Sequence, residues 1–228
     1  MTSWKARIVP LLILVVALLL RVEDPQPVQL ARLWTFDTYQ RIEPRVYDSA
    51  LPVRILDIDD ESLARIGQWP WPRSRIADLV DRLHEAGAAV VVFDVLFAEP
   101  DRTSPANVAA NWPEGTDDAN LRARIAALPD HDQMLAEAFA RGRVVAGFTF
   151  TRSRENAPPP PPKAGVGLGG SPPHPFLPAY SAAISNLPAL GAAAAGIGNI
   201  NFEADADGLI RRVPLFTQYV APGTTPTY

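Results

Sequence analysis

Three aspartates in the first half of the chain could carry chemistry, because each lies in or ends a run of apolar, β-branched residues. Asp57 and Asp59 end the run VRILDID (53–59), and Asp94 lies within AVVVFDVLF (89–97). In an open α/β sheet, ligands bind at the carboxyl ends of the strands. Carboxylates there must be paired, hydrogen-bonded or metal-bound, so a divalent cation such as Mg²⁺ is a candidate ligand. The alternative is that these acids cap helix N-termini and loop amides.

The string DIDDES (57–62) partly resembles the Asp-x-Asp signature of haloacid-dehalogenase-type phosphatases. That resemblance would make Asp57 a nucleophile and Asp59 a general acid beside Mg²⁺. Glu61 stands where that family has Thr or Val, and Lys163 is the only lysine later in the chain. A Mg²⁺-dependent phosphohydrolase is therefore an alternative function and not the leading one.

The most distinctive string is QWPWPRSR (68–75), in which Trp69 and Trp71 alternate with prolines and Arg73 follows. Such a stiff aromatic ledge could line a ligand site or pack as a plug on the sheet edge. Asn199 and Asn201, from GIGNIN, are added as candidate ligand-binding residues. The acidic string EADADG predicts a turn with its glycine at the position of positive φ.

Residues 8–20 form a continuous apolar run that could be the central part of a membrane helix. Lys5, Arg7 and Arg21 flank it, and their long side chains can reach the interface, which extends the span to 4–22. That length is about the lower limit for a transmembrane helix. We therefore expect a transmembrane helix at 4–22. A cleaved signal peptide and a buried core helix are the alternatives.

The charges around this run predict the location of the rest of the chain. Basic residues precede it and acids follow it, so the positive-inside rule leaves the N-terminus in the cytoplasm and residues 23–228 outside. A juxtamembrane helix at 28–44 is expected to leave the membrane. The remainder, 50–220, is expected to be one domain, with a flexible Pro/Gly-rich insertion at 152–178.

Hydrophobic periodicity within this domain predicts alternating strands and helices. The expected strands are 53–59, 89–97 and 143–150, the expected helices are 61–67, 75–87 and 133–142, and an antiparallel hairpin surrounds the ADADG turn, with strands at 198–203 and 209–218. Such alternation implies a three-layer α/β fold with a largely parallel sheet. The complete prediction is this fold with a C-terminal antiparallel hairpin, preceded by one transmembrane helix.

Composition excludes several classes of protein. The net charge of −4 gives no clustered basic face for nucleic acid. The absence of cysteine excludes disulfide scaffolds, thiolate nucleophiles and Cys-ligated metals. The only lysines are Lys5 and Lys163, and neither is placed for a P-loop or a Schiff base. No catalytic residues are assigned to this chain, and no cofactor beyond the candidate cation.

These strings together resemble the CHASE2 domain, an extracytoplasmic sensor module of bacterial transmembrane signalling proteins. The resemblance implies a module that binds an unknown small-molecule signal outside the cytoplasmic membrane. It also implies a cytoplasmic output, often an adenylate or guanylate cyclase and sometimes a kinase. The strings that carry the resemblance are LDIDDESLARIGQWPWPRS (56–74), VVFDVLFAEPD (91–101), DQMLAEAF (132–139), VVAGF (144–148), GIGNIN (196–201) and DADGLIRRVPLF (205–216).

The chain contains no output domain, so we expect it to be a piece of a longer receptor. We also expect a homodimer that forms through the membrane and juxtamembrane helices. The alternative is a self-standing, membrane-anchored binding protein that passes its ligand to another membrane component.

Overall fold

The computed structural model describes residues 2–113, 119–153, 158–165, 167, 169–171 and 173–220. Part of the expected insertion at 152–178 lies outside these residues. The chain divides into two compact units. We call them the helical unit, Met1–Leu56 with Phe202–Val213, and the sheet unit, Asp57–Asn201 with Pro214–Tyr228.

The helical unit contains two consecutive helices, α1 (Thr2–Glu23) and α2 (Gln26–Ile42). Asp24, with a φ of 41°, and Pro25 separate them. Proline lacks an N–H and fixes φ, so Pro25 suits the start of a helix. The C-terminal end of α2 comes just before Pro44, because the residue that precedes a proline is pushed out of the helical region.

The expected transmembrane helix at 4–22 is wrong. Among the residues that the structure describes, no helix is both long enough and apolar enough to cross a membrane. The physical reason is length, because α1 has 22 residues but its uninterrupted apolar run covers only 8–20. A membrane helix needs about 20 consecutive, predominantly apolar residues. The orientation with the N-terminus inside depended on this helix and is not confirmed.

The sheet unit is mixed α/β, with a small sheet among short helices. Asp59 and Asp130 cap two of these helices, because each side chain accepts a hydrogen bond from the backbone N–H three residues later. The elements, in chain order, are α3 (Asp60–Ile66), α4 (Arg73–Glu85), β1 (Val91–Phe93), α5 (Pro105–Ala110), α6 (Ala119–Ala126), α7 (His131–Arg141), β2 (Val144–Thr151), a 3-10 turn (His174–Phe176), β3 (Ala179–Tyr180), β4 (Ala182–Ile184), α8 (Pro188–Ala193), β5 (Gly196–Asn199) and β6 (Gln218–Tyr219).

Strand β2 organises the sheet unit, because three other strands pair with it. It is parallel to β1, with Val144 opposite Val91, and parallel to β5, with Val145 opposite Gly196. Its last residues pair antiparallel with β4. Strands β3 and β6 form a separate two-stranded parallel sheet. Helix α7 lies between β1 and β2 in the chain, as a parallel crossover requires.

The core lies where α4 and α7 pack against each other and against this sheet. Phe139 of α7 stacks on Phe93 of β1 with ring centroids 5.5 Å apart, and Phe97 meets Phe93 edge-on at 5.4 Å. Burying each large apolar side chain contributes about 1.5–3 kcal/mol. The largest fully buried apolar side chains are Phe97, Phe139, Ile76, Leu135, Leu190, Val80 and Val144.

The strand expected at 53–59 does not form. Ile55 is 92% exposed, and no residue of this segment belongs to a strand. The Arg54 guanidinium donates hydrogen bonds to the carbonyl oxygens of Ser49, Leu51 and Val53. These carbonyls are thus bonded locally, whereas a strand would direct its carbonyls to a neighbouring strand.

The expected C-terminal hairpin is also wrong, although its turn is present. Asp205 N donates to Leu209 O at 2.9 Å, and Gly208 has a φ of 82°. The flanking segments pair elsewhere, because β5 pairs with β2 and β6 pairs with β3. The strand expected at 89–97 is shortened to β1, so Asp94 follows the strand.

Gly147, in the middle of β2, has no room for a side chain. A Cβ there would lie 2.7 Å from Phe93 O and 2.8 Å from Ile200 Cγ2. We expect Gly147→Ala to lower the free energy of unfolding by about 1–3 kcal/mol in urea denaturation, because overpacking forces the backbone to shift.

The matched control for this prediction is Gly191→Ala in α8, where nothing lies within 4 Å of the added Cβ. Alanine favours a helix over glycine by up to about 1 kcal/mol, so this variant should be neutral or more stable. Equal unfolding midpoints for the two variants would contradict the close approach of β1 and β2 at Gly147.

Candidate functional site

The QWPWPRSR string joins α3 to α4 and packs its tryptophans against the core of the sheet unit. Trp71 is 6% exposed, and its Nε1 donates a hydrogen bond to Gly67 O at 2.7 Å. The half-buried Trp69 meets it edge-on with ring centroids 5.6 Å apart. The aromatic half of the string therefore has a packing role, as one of the two sequence interpretations stated.

Arg73, the first residue of α4, is a buried arginine. Its side chain is 10% exposed, and its guanidinium carbon lies 4.5 Å from the centroid of the Phe97 ring. A cation over an aromatic face is favourable. The backbone N–H of Arg73 donates to Asp101 Oδ2 at 2.7 Å. Burial lowers the pKa of Arg73, and the charges of Asp101 and Asp132 oppose that shift.

Asp101 receives hydrogen bonds from several groups around it. Besides Arg73 N, its carboxylate accepts from Thr103 N and Thr103 Oγ1, both at 2.8 Å, and lies 3.2 Å from His131 Nδ1. Burial alone would raise the pKa of Asp101. The hydrogen bonds from Arg73 N and Thr103 outweigh burial and lower the pKa. The negative charge of Asp101 is thus held by the protein itself.

Only one of the two carboxylate oxygens of Asp132, in the first turn of α7, accepts a hydrogen bond. Its Oδ2 accepts from Asp101 N at 2.8 Å. Its Oδ1 is buried without a hydrogen-bond partner and lies 3.7 Å from Arg73 Nε, which is likewise buried and unpaired. Burial raises the pKa of Asp132, and the charges of Asp130 and Asp101 add to it. The hydrogen bond from Asp101 N and the charge of Arg73 act in the opposite direction but do not prevail.

We call Arg73, Asp101, His131 and Asp132 the Arg73 centre. It joins the starts of α4 and α7 to the segment after β1. The fully buried Ser104 extends this junction, because its Oγ accepts from His131 N at 2.8 Å and donates to Asp130. Buried polar networks of this kind hold elements in one arrangement when their members are satisfied.

The three aspartates predicted from the strand ends are not brought together. Asp57 and Asp94 are exposed, and Asp59 caps α3 by accepting from Ser62 N at 2.8 Å and Ser62 Oγ at 2.7 Å. These bonds lower the pKa of Asp59. Among the described residues, no group of three or more His, Asp or Glu side chains is placed to hold a metal ion. The capping alternative therefore describes Asp59, and the phosphohydrolase alternative gains no support.

Asn199 and Asn201 extend the hydrogen bonding of the sheet. The Asn201 side chain accepts from Phe150 N and donates to Phe150 O at 2.9 Å, as a neighbouring strand would. Asn199 accepts from Asn201 N at 3.0 Å and donates to Thr217 Oγ1 at 3.2 Å. In this arrangement both side chains complete the sheet, and their amide groups are engaged within the protein.

The helical unit contains another arginine with a largely covered side chain, the half-buried Arg211, whose side chain is 5% exposed. Its Nε and Nη2 bind the two carboxylate oxygens of Asp37, on α2, each at 2.7 Å. Asp207 accepts from Nη1 at 2.8 Å and from Nη2 at 2.6 Å, and Asp205 accepts from Nη1 at 3.1 Å. All five guanidinium N–H groups therefore have acceptors. We call these four residues the Arg211 clamp.

The clamp stays ionised over a wide pH range. The hydrogen bonds from Arg211 lower the pKa of Asp207 to about 2 and also lower the pKa of Asp37. Asp37 and Asp207 in turn raise the pKa of Arg211. Bidentate arginine–carboxylate pairs are strong and directional, so the clamp fixes segment 202–213 against α2.

Sequence reasoning missed Asp101, His131, Asp132 and the Arg211–Asp37 pair. The pairing of Arg211 with Asp37 spans 174 residues, which no local pattern can indicate. A signal did exist at AEPD (98–101) and PDHD (129–132), where acids stand before helices.

Comparison with known families identifies one match. The family model of the CHASE2 domain matches residues 11–227, nearly the whole chain. Neither the curated proteins nor the solved structures gave a match.

The raised pKa of Asp132 predicts how stability depends on pH. The folded state takes up this proton at a higher pH than the unfolded chain, so the parent protein should gain stability as the pH falls through the raised pKa. The Asp132→Asn variant has no carboxylate at this position and cannot take up this proton. We expect the difference in unfolding free energy, parent minus variant, to increase between pH 7 and pH 4 in urea denaturation.

Asp59→Asn is the control, because the pKa of Asp59 is lowered and its contribution is lost as the pH falls through the folded pKa. Its parent-minus-variant difference should therefore change in the opposite direction. Parallel pH profiles for the two variants would contradict the burial of an ionised Asp132.

Proposed function

The chain belongs to the CHASE2 domain family, and on that premise we propose that it is the ligand-sensing module of a membrane signalling receptor with a cyclase output. CHASE2 domains are extracytoplasmic sensor domains and are not catalytic. The proposal adds an adenylate or guanylate cyclase as the output and a small molecule as the signal. The expected homodimer stays a proposal beside it.

The observation that carries the proposal is the Arg211 clamp. A sensor domain must convert ligand binding into a movement that another part of the receptor can follow. Asp37 lies on α2, near the N-terminal end of the chain, and Arg211 lies in segment 202–213, which directly follows β5 and Asn201. The clamp makes the position of α2 depend on the position of segment 202–213.

The chemistry of the clamp suits a two-position element. Asp37 is held by two directional bonds from Arg211, so a shift of α2 must break both of them together. A cleft of about 400 Å³ borders α2 at Gln29, Arg32 and Leu33, which leaves space on that side of the helix. A ligand changes the balance between two positions only when it binds one of them more tightly.

A reporter chimera tests this function. The full chain would precede the membrane and catalytic segments of an adenylate cyclase, in a bacterium that lacks its own cyclase. We expect Arg211→Lys to change basal cyclic AMP output by about fivefold or more, the lower end of typical coupling between sites. Lysine keeps the charge but lacks the planar fork that binds two carboxylates.

Arg212→Lys is the matched control, because Arg212 is 68% exposed and its nearest acid, Asp205, is 3.6 Å away. Its output should stay within about twofold of the parent, since exposed ion pairs contribute little. Indistinguishable outputs from the two variants at equal expression would contradict transmission through the clamp.

A further inference from the structure

Arg73 and Arg211 both cover most of their side chains, but they differ in one respect. Arg211 uses all five of its guanidinium N–H groups within the protein. The Arg73 side chain is 10% exposed, but its Nε is buried without a hydrogen bond, and its ion pair with Asp132 Oδ1 is long, at 3.7 Å. A buried N–H without a close acceptor is costly, so an acceptor oxygen brought to Arg73 from outside the chain would stabilise it.

The neighbouring carboxylates do not supply that acceptor. Asp101 is engaged by Arg73 N, Thr103 and His131. Asp132 Oδ1 lies 3.7 Å from Arg73 Nε, beyond hydrogen-bonding distance, and has no donor of its own. Arg73 Nε and Asp132 Oδ1 therefore form a long ion pair in the interior of the sheet unit, and neither atom has a hydrogen bond.

Oxyanions have the chemistry that completes this arrangement. A guanidinium fork matches the oxygens of a carboxylate or phosphate in a bidentate geometry. Two long helices begin here, α4 at Arg73 and α7 at His131, and helix N-termini favour negative charge. The exposed tenth of the Arg73 side chain is the point at which a ligand could reach the fork.

The protonation state of Asp132 determines whether an anion can bind beside it. As a carboxylate it would repel an anion, whereas with a proton on Oδ1 it would donate a hydrogen bond to the anion. We propose that the Arg73 centre binds an oxyanion group of the signal, a carboxylate or a phosphate, together with one proton from solvent that bonds to Asp132 Oδ1. This inference rests on the proposed sensor function, because it names the chemical class of the signal.

The surroundings of Asp132 support uptake of the proton. The charged and titratable groups around it are Arg73 from α4, Asp101 from the segment after β1, and Asp130 just before α7, while the His131 ring contacts Asp101. Burial, Asp130 and Asp101 raise the pKa of Asp132, so the proton is taken up more readily than by a free aspartate. Binding of an anion raises that readiness further, since the two events are linked.

The test is a binding titration of the full chain with two probes, acetate for a carboxylate and sulfate for a phosphate. The readout is the Arg73 Nε–Hε resonance in ¹H–¹⁵N NMR, together with the affinity from calorimetry at pH 7 and pH 6. We expect at least one probe to shift that resonance. We expect its affinity to rise by about tenfold between pH 7 and pH 6, as uptake of one proton requires.

Three variants make the test specific. Arg73→Lys should lower the affinity by about tenfold or more, whereas Arg75→Lys, an exposed position on the same helix, should stay within about twofold. Asp132→Asn carries a permanent donor, so it should bind the probe at pH 7 without pH dependence. The Asp132→Asn variant keeps the inference testable if circular dichroism shows that Arg73→Lys does not fold.

Several results would overturn the inference. They are no shift of the Arg73 resonance with either probe, equal affinities for Arg73→Lys and Arg75→Lys, or an unchanged pH dependence in Asp132→Asn. The probe that binds more tightly identifies carboxylate or phosphate as the group. A chimera whose output still depends on Arg211, in a chain that binds neither probe, would keep the sensor function and reject the oxyanion.

Discussion

The energetic cost of burying a guanidinium governs both polar centres of this chain. Arginine stays protonated in proteins, so a buried arginine must find acceptors or remain in an unfavourable state. Arg211 finds three carboxylates, and the one from Asp37 links α2 to segment 202–213. Arg73 finds an aromatic face and a distant carboxylate. The two arginines therefore differ in function because they differ in how fully they are satisfied.

Local periodicity predicted the elements whose stability is mainly local. Helices α2, α3, α4 and α7 and strand β2 lie within a few residues of the expected ranges, because amphipathic spacing and buried strands leave a clear pattern. The segment 53–59 had the pattern but not the structure, and the Arg54 side chain bonds the carbonyl of Val53 and those of two residues just before the segment. The C-terminal hairpin failed for the same kind of reason, because its flanks pair with distant strands.

The candidate site was predictable only where a single string carries it. Arg73 could be selected from QWPWPRSR, but its partners lie about 30 and 60 residues later, in segments that a local pattern identifies only as helix starts. The aspartates chosen at strand ends required those strands to meet at one sheet edge. Since 53–59 is not a strand and β1 ends at Phe93, Asp57, Asp59 and Asp94 have no common edge. Long-range pairing of charges is the information that one sequence lacks.

The two polar centres of this chain differ in how fully their charges are hydrogen-bonded. A saturated centre, such as the Arg211 clamp, holds its elements together and resists small changes of pH, because its carboxylates stay ionised. An unsaturated centre, such as the Arg73 centre, has free energy to gain from an added ligand or proton. The incompletely bonded charges lie at the starts of α4 and α7, the two helices that pack in the core. A group that bonds to these charges can therefore change how the two helices are held. A ligand moves a fold between two arrangements only by binding one of them more tightly than the other.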